Sequence, residues 1–108
     1  MSAKYNNTKT IVDNIKFDSK REAARYSVLK LLERTKIITE LKLQVPFELA
    51  PSVIINGRKK PALRYFADFT YVENGRLIIN DVKGRLTDVY IIKRHLMQSV
   101  HNIDILET

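Results

Sequence analysis

Asn74-Gly75, set between the strand-like runs 64–72 and 76–83, constrains the fold of this chain more than any other feature. Asn and Gly tolerate the positive φ that a two-residue hairpin turn demands, and the twist of such a turn matches antiparallel strands. A short turn also fixes register, so positions equidistant from it face each other. Counted outward from the turn centre, Asp68 lies about six residues back and Asp81 about six forward. Side chains alternate along a strand, so Asp81 and Lys83 share one face while Val82 anchors the other. Two carboxylates and an amine are thereby expected at one strand end. Such a group suits a hard divalent cation held beside a water-positioning or charge-stabilising lysine, the equipment for phosphodiester hydrolysis. An Asp-x-Lys in isolation also reads as a plain salt bridge at a sheet edge.

A chain of 108 residues is expected to form one domain, able to bury a modest core without staples. It has no cysteine, which excludes disulfides and thiolate metal sites. No apolar stretch approaches the roughly 20 residues needed to span a bilayer, and Met1-Ser2-Ala3-Lys4-Tyr5-Asn6-Asn7 lacks the apolar core of a signal peptide. The expectation is a soluble cytoplasmic protein without a membrane partner. Its net charge of +7 makes a polyanion the expected partner, because each phosphate neutralised releases counterions. Charge alone does not choose between DNA and RNA.

Residues 1–9 are polar and aperiodic and read as a flexible basic arm, with residues 10–108 as the folded domain. Thr10-Ile11-Val12 and Ile15-Lys16-Phe17 flank Asp13-Asn14 as two short strands about a tight turn. Ser19 followed three residues later by Glu22 reads as a helix start, with Ala24, Val28, Leu31 and Leu32 recurring at helical spacing to about Arg34. Leu41, Leu43, Val45, Phe47 and Leu49 alternate with polar residues, which predicts a half-buried strand that Pro46 confines to an edge or bulge. Pro51 to Pro61 carries Asn56-Gly57 and then Arg58-Lys59-Lys60, a basic hairpin tip or loop. After the Asn74-Gly75 hairpin, Thr87 or Asp88 caps a second helix with the stripe Val89, Ile92, Leu96 and Val100, and a last strand spans Ile103 to Leu106. The order predicts an α/β (α+β) domain, a mixed sheet with two helices against it.

Phe17-Asp18-Ser19-x-x-Glu22-Ala23, Tyr65-Phe66-Ala67-Asp68-Phe69 and Asp81-Val82-Lys83-Gly84 resemble, in order, the three core motifs of the PD-(D/E)XK nuclease superfamily. The spacing and size look most like a small family of phage proteins related to endonuclease I-type Holliday junction resolvases, over about Thr10 to Leu106. Ala67 stands where that pattern has its proline, and Asp81 where glutamate is commoner. The resemblance implies a restriction-endonuclease-like fold and a Mg²⁺-dependent, structure-selective DNA endonuclease, with Mn²⁺ as a substitute ion, acting on branched DNA in recombination or packaging. It implies that Asp68, Asp81 and the Val82 carbonyl ligate the metal and that Lys83 serves the attacking water or the developing charge. Glu22 would contribute from the helix, directly or through water.

Glu22 also fits the reciprocal half of a capping box, so its role stays open at this level. Lys93, between the apolar and polar faces of the second helix, is either a solvated lysine or a contact to the cut strand. Arg58, Lys59 and Lys60 read as phosphate contacts. His95 and His101 lack a partner at metal-ligand spacing and read as surface residues. Tyr26, Tyr65, Phe66, Phe69 and Tyr71 serve the core or stack on bases. A single active site per chain acting on two strands implies a homodimer, through the N-terminal hairpin or the edge strand Leu41 to Leu49. Two non-enzymatic readings compete: a nucleic-acid-binding module with a structural acid cluster, and an interaction protein whose basic face meets an acidic partner.

Overall fold

A computed structural model describes residues 8–83 and 85–108. The elements run β1 (Thr10–Val12), β2 (Ile15–Phe17), α1 (Lys20–Arg34), β3 (Thr39–Ala50), β4 (Val53–Ile55), β5 (Arg58–Lys60), β6 (Leu63–Glu73), β7 (Arg76–Asp81), α2 (Asp88–His101) and β8 (Leu106–Glu107). The expected flexible arm falls mostly outside the described residues; at its end, Lys9 pairs with Asp18 at 3.2 Å.

Three hairpins turn on residue pairs with both φ values positive: Asp13 and Asn14 at 51° and 62°, Asn56 and Gly57 at 51° and 75°, Asn74 and Gly75 at 52° and 74°. Such turns match the right-handed twist of the flanking strands. The main sheet has the order β3-β6-β7-β8, with antiparallel pairing except between β7 and β8. It is a mixed sheet in an α+β domain, as the element order predicts. β3 is an edge, so Pro46 costs no bond between two neighbouring strands. Along β3 the apolar members of the alternating run turn inward and Lys42, Gln44, Pro46 and Glu48 lie exposed.

Both helices start where their caps place them. Ser19 Oγ accepts from Glu22 N at 3.1 Å and Thr87 Oγ1 from Tyr90 N at 3.1 Å. The faces they bury differ from the predicted stripes. On α1 the buried residues are Ala23, Tyr26 and Leu29, whereas Ala24, Val28 and Leu31 are exposed and Leu32 is only partly covered. On α2 the buried residues are Tyr90 and Met97, while Val89, Ile92 and Val100 are exposed and Leu96 is partly buried. Aromatic side chains decide both outcomes. Tyr26 packs on Phe17 and donates to Asp13 at 2.9 Å, and Tyr90 packs near Tyr65 and donates to Glu107 at 2.5 Å. A large ring that also has a partner for its hydroxyl brings more buried area than a Val one or two positions away.

Two hydrophobic clusters result. The first joins Phe17, Ala23, Tyr26 and Leu29 to Phe69 and Tyr71; the second joins Tyr90 and Met97 to Tyr65, Ala67 and Ile79. β6 passes from one cluster to the other at Asp68. Beside that crossing lies Asn80, fully buried, whose amide donates to Leu106 O at 2.9 Å and Thr108 Oγ1 at 3.1 Å and whose Oδ1 accepts from Arg25 Nε at 2.8 Å. One side chain thus ties α1, β7 and β8 together next to Asp81. The last strand is shorter and later than predicted, because Asn102 ends α2 in the left-handed region at φ 56° and Ile103 and Ile105 pack against the second cluster instead.

Candidate active site

Phe69 pairs with Asn80 across β6 and β7, so the next positions out, Asp68 and Asp81, face each other where the strands part. β7 ends at Asp81 rather than continuing to Lys83. The backbone beyond it is nevertheless fixed on both sides. Val82 N donates to Asp68 Oδ2 at 2.8 Å, Thr108 N to Asp81 O at 3.0 Å, and Lys83 N to Thr108 O at 3.0 Å. Lys83 Nζ then reaches back to Asp81 Oδ2 at 2.7 Å, with the aspartate side chain only 4 % exposed.

Glu22, Asp68, Asp81, Lys83 and Lys93 all line one open cavity of about 290 Å³, together with the Val82 backbone segment. Arg58, Lys59 and Lys60 do not; they lie exposed on β5. Among the described hydrogen bonds the capping bond of Glu22 runs one way, from its own N to Ser19 Oγ. Its carboxyl is raised above the usual range by burial, then by Asp18 and Asp81, against the opposing pull of Lys83. Glu22 therefore caps with its backbone while the residue lines the cavity. Val82's side chain is buried in the first cluster, as the alternation requires.

The electrostatics are those of crowded carboxylates. Burial, then a shared proton and repulsion from Asp81, push Asp68 up to about 8, and the Val82 amide offsets only part of this. Tyr65, 3 % exposed, has a buried hydroxyl that finds no hydrogen-bond partner among the described residues and lies near Asp81. A cation between the carboxylates would relieve the repulsion. Among the described residues no three acidic or His side chains converge as a preformed metal cage. A pair of carboxylates with space around it fits Mg²⁺, which keeps most of its waters and takes one or two protein carboxylates plus substrate phosphate.

Several residues at the site carry no signal that the sequence reading used. Tyr90 lies under Lys83, with the amine 3.9 Å from the ring centroid, a cation–π contact. Its hydroxyl is anchored on Glu107, which Arg94 also grips at 3.0 Å. Burial and that acceptor raise the Tyr90 hydroxyl, so it stays a donor. Gln44, opposite Asp68 on β3, donates to Asp68 Oδ1 at 3.3 Å and adopts φ 52°, a costly conformation for a residue with a side chain. Thr87 caps α2 and also lines the cavity. Of the five aromatics singled out in the sequence, Phe66 points outward, half exposed at the cavity rim, while Tyr26, Tyr65, Phe69 and Tyr71 are core residues. His101 is exposed and donates to Glu48 O at 2.6 Å, and His95 lies exposed on α2.

No helix among the described residues is long and apolar enough to cross a membrane. Neither the curated proteins nor the solved structures contain a match to this sequence. A family match does cover residues 2–105, nearly the whole chain including both carboxylates and Lys83, and the chain belongs to that family, described as protein of unknown function (DUF1064).

Proposed function

We propose that this protein is a Mg²⁺-dependent DNA endonuclease acting on branched DNA such as Holliday junctions, in recombination or packaging and in the cytoplasm. The observation that carries the proposal is the buried strand end where Asp68 faces Asp81 and Lys83 lies 2.7 Å from Asp81 Oδ2, all opening into one cavity. The motif order that resembles the PD-(D/E)XK superfamily supports it, as does the net charge of +7.

In this reading Asp68 and Asp81 hold the ion with the Val82 carbonyl, and Glu22 acts through water. The ion, when bound, supplies a Lewis acid and an activated water for in-line attack on phosphorus. Asp68 must lose its proton for this, so binding of the ion and ionisation of Asp68 are linked. Lys83, whose amine rests on Asp81, would offer its three N–H donors to the attacking water or the phosphate oxygens. Tyr90 limits where that amine can go. Lys93 approaches the same phosphate from α2, and Phe66 offers a ring for base stacking. Arg58, Lys59 and Lys60 contact phosphates farther out. A homodimer, through the exposed Ile11 hairpin or the β3 edge, would bring two such sites to a two-fold junction.

One observation favours a second reading, a nucleic-acid-binding module without catalysis: Lys83 already neutralises Asp81 within the fold. Labelled four-way junction, duplex and single-stranded DNA, each incubated with Mg²⁺ and with EDTA, separate the two. The nuclease reading expects Mg²⁺-dependent nicking that is strongest on the junction. Binding without nicking under any divalent ion would establish the module.

A further inference from the structure

The β4–β5 ribbon is not absorbed by the site. It forms its own two-stranded sheet, with Val53 opposite Lys60, Ile54 opposite Lys59 and Ile55 opposite Arg58. All six residues are exposed, and Ile54 reaches 75 %. Pro51 and Pro61 bracket it, fixing φ where the chain leaves β3 and enters β6. The Asn56-Gly57 turn closes it tightly. Three consecutive β-branched aliphatic side chains in water are a liability that an isolated domain has no structural reason to keep.

Register decides what such a surface suits. Directly opposed residues share a face, so Ile54 lies beside Lys59 on one face while Val53 with Lys60 and Ile55 with Arg58 share the other. Neither face is purely apolar, which argues against a lipid surface, where apolar and basic residues segregate. A second copy docking symmetrically would bring two Arg58-Lys59-Lys60 triplets together, a like-charge juxtaposition. Interleaved cations and aliphatic groups instead match nucleic acid where stacking is broken, so that charged phosphates flank exposed apolar base faces. A two-stranded ribbon can enter a groove of the duplex, and an apolar wedge such as Ile can open a base step, a device known from minor-groove binders.

Building on the nuclease reading's choice of DNA as partner, we propose that the β4–β5 ribbon is the element that selects branched DNA, with Ile54 wedged against an unstacked base step while Arg58, Lys59 and Lys60 hold the flanking phosphates. Bases at a branch point are already partly unstacked, so the wedge costs less there than in continuous duplex. Selectivity then resides in the aliphatic strand and overall affinity in the basic one.

The test is equilibrium binding in EDTA, which prevents Mg²⁺-dependent cleavage, of the full chain to a four-way junction and to a duplex of the same sequence. Ile54→Ser should weaken junction binding about tenfold, or about 1.4 kcal/mol, and duplex binding far less. Ile54→Val should restore the preference. Replacing Arg58, Lys59 and Lys60 by Ala should weaken both substrates and flatten the salt dependence of duplex binding by about 0.9 in log–log slope for each phosphate the ribbon no longer neutralises. Equal weakening on both DNAs in Ile54→Ser, or none, overturns the proposal. So does a fall from dimer to monomer in light scattering of that variant, which would assign the ribbon to assembly. Binding to phosphatidylserine vesicles that depends on Ile54, with DNA binding unchanged, overturns it in favour of a membrane. If the junction preference rests on Ile54 but no DNA is cut with Mg²⁺, the ribbon proposal stands and the nuclease reading fails.

Discussion

Asp68→Asn should stabilise the metal-free protein at high pH, by an amount that vanishes in acid. In the wild type Asp68 is held up to about 8 by burial and by Asp81. Between its ordinary value of 3.8 and that value, the folded protein keeps a proton that the unfolded chain has lost. Stability from this group is therefore complete below the lower value and falls as pH rises through the window. Asparagine has nearly the shape of the protonated acid: its Oδ1 can still accept from Val82 N, and its amide can meet Gln44 after that side chain turns its oxygen inward. Below about pH 4, where folded and unfolded wild type both carry the proton, variant and wild type should thus agree within about 0.5 kcal/mol. Above about pH 8, two facing carboxylates cost up to about 1 kcal/mol at an exposed pair and more when buried. The variant should then be ahead by on the order of 1–2 kcal/mol, and each kcal/mol moves Tm by about 4–8 °C in a domain of this size. Millimolar Mg²⁺ should reverse the ranking: an ion at about 100 times its Kd adds about 2.7 kcal/mol to the wild type, and the variant should gain little of it. Differential scanning fluorimetry across pH, with and without Mg²⁺, measures all of this. A variant less stable than wild type at high pH, or a gap independent of pH, would refute the account of crowded carboxylates.

Glu22→Gln should keep its melting temperature, because the cap uses Glu22 N, and should lose cleavage; retained cleavage would leave Glu22 a capping residue only. Tyr90→Leu should slow cleavage through loss of the ring under Lys83, whereas Tyr90→Phe, which keeps the ring, should hold most of the activity; equal effects in both would assign the role to the Glu107 bond. Asn80→Ala should cost about 1–3 kcal/mol in chemical denaturation by leaving the Leu106 carbonyl without its Asn80 amide donor and Arg25 Nε without its acceptor, and a neutral result would contradict its bridging role.

What could be read from the chain alone follows from how local the determining forces are. Asn74-Gly75 sets register over a few residues, so the facing of Asp68 and Asp81 was legible, as were the alternation of β3 and the Ser19 and Thr87 caps. The buried helix faces were not. α1 and α2 each carry an aliphatic stripe beside an aromatic one, and only the distant partners Asp13 and Glu107 decide between Val28 and Tyr26 or Val89 and Tyr90. The surroundings of the site were hidden for the same reason. Gln44 and Thr108 reach Asp68 and Lys83 from elements far along the chain, Tyr90 reaches Lys83 only through the packing of the next helix, and Gln44 looks like any polar residue of an alternating strand until its positive φ is seen. The alternating pattern extends the strand to Lys83, but the strand ends two residues earlier and Thr108 holds the segment instead.

The central claim is that Asp68, Asp81 and Lys83 form one cation-dependent catalytic group, and it is tested most directly by cutting a labelled four-way junction with wild type and Asp81→Asn side by side in Mg²⁺, with junction binding measured in parallel. The account predicts nicking by the wild type that EDTA abolishes, and none by Asp81→Asn at undiminished junction affinity. Near-native nicking by Asp81→Asn would contradict it.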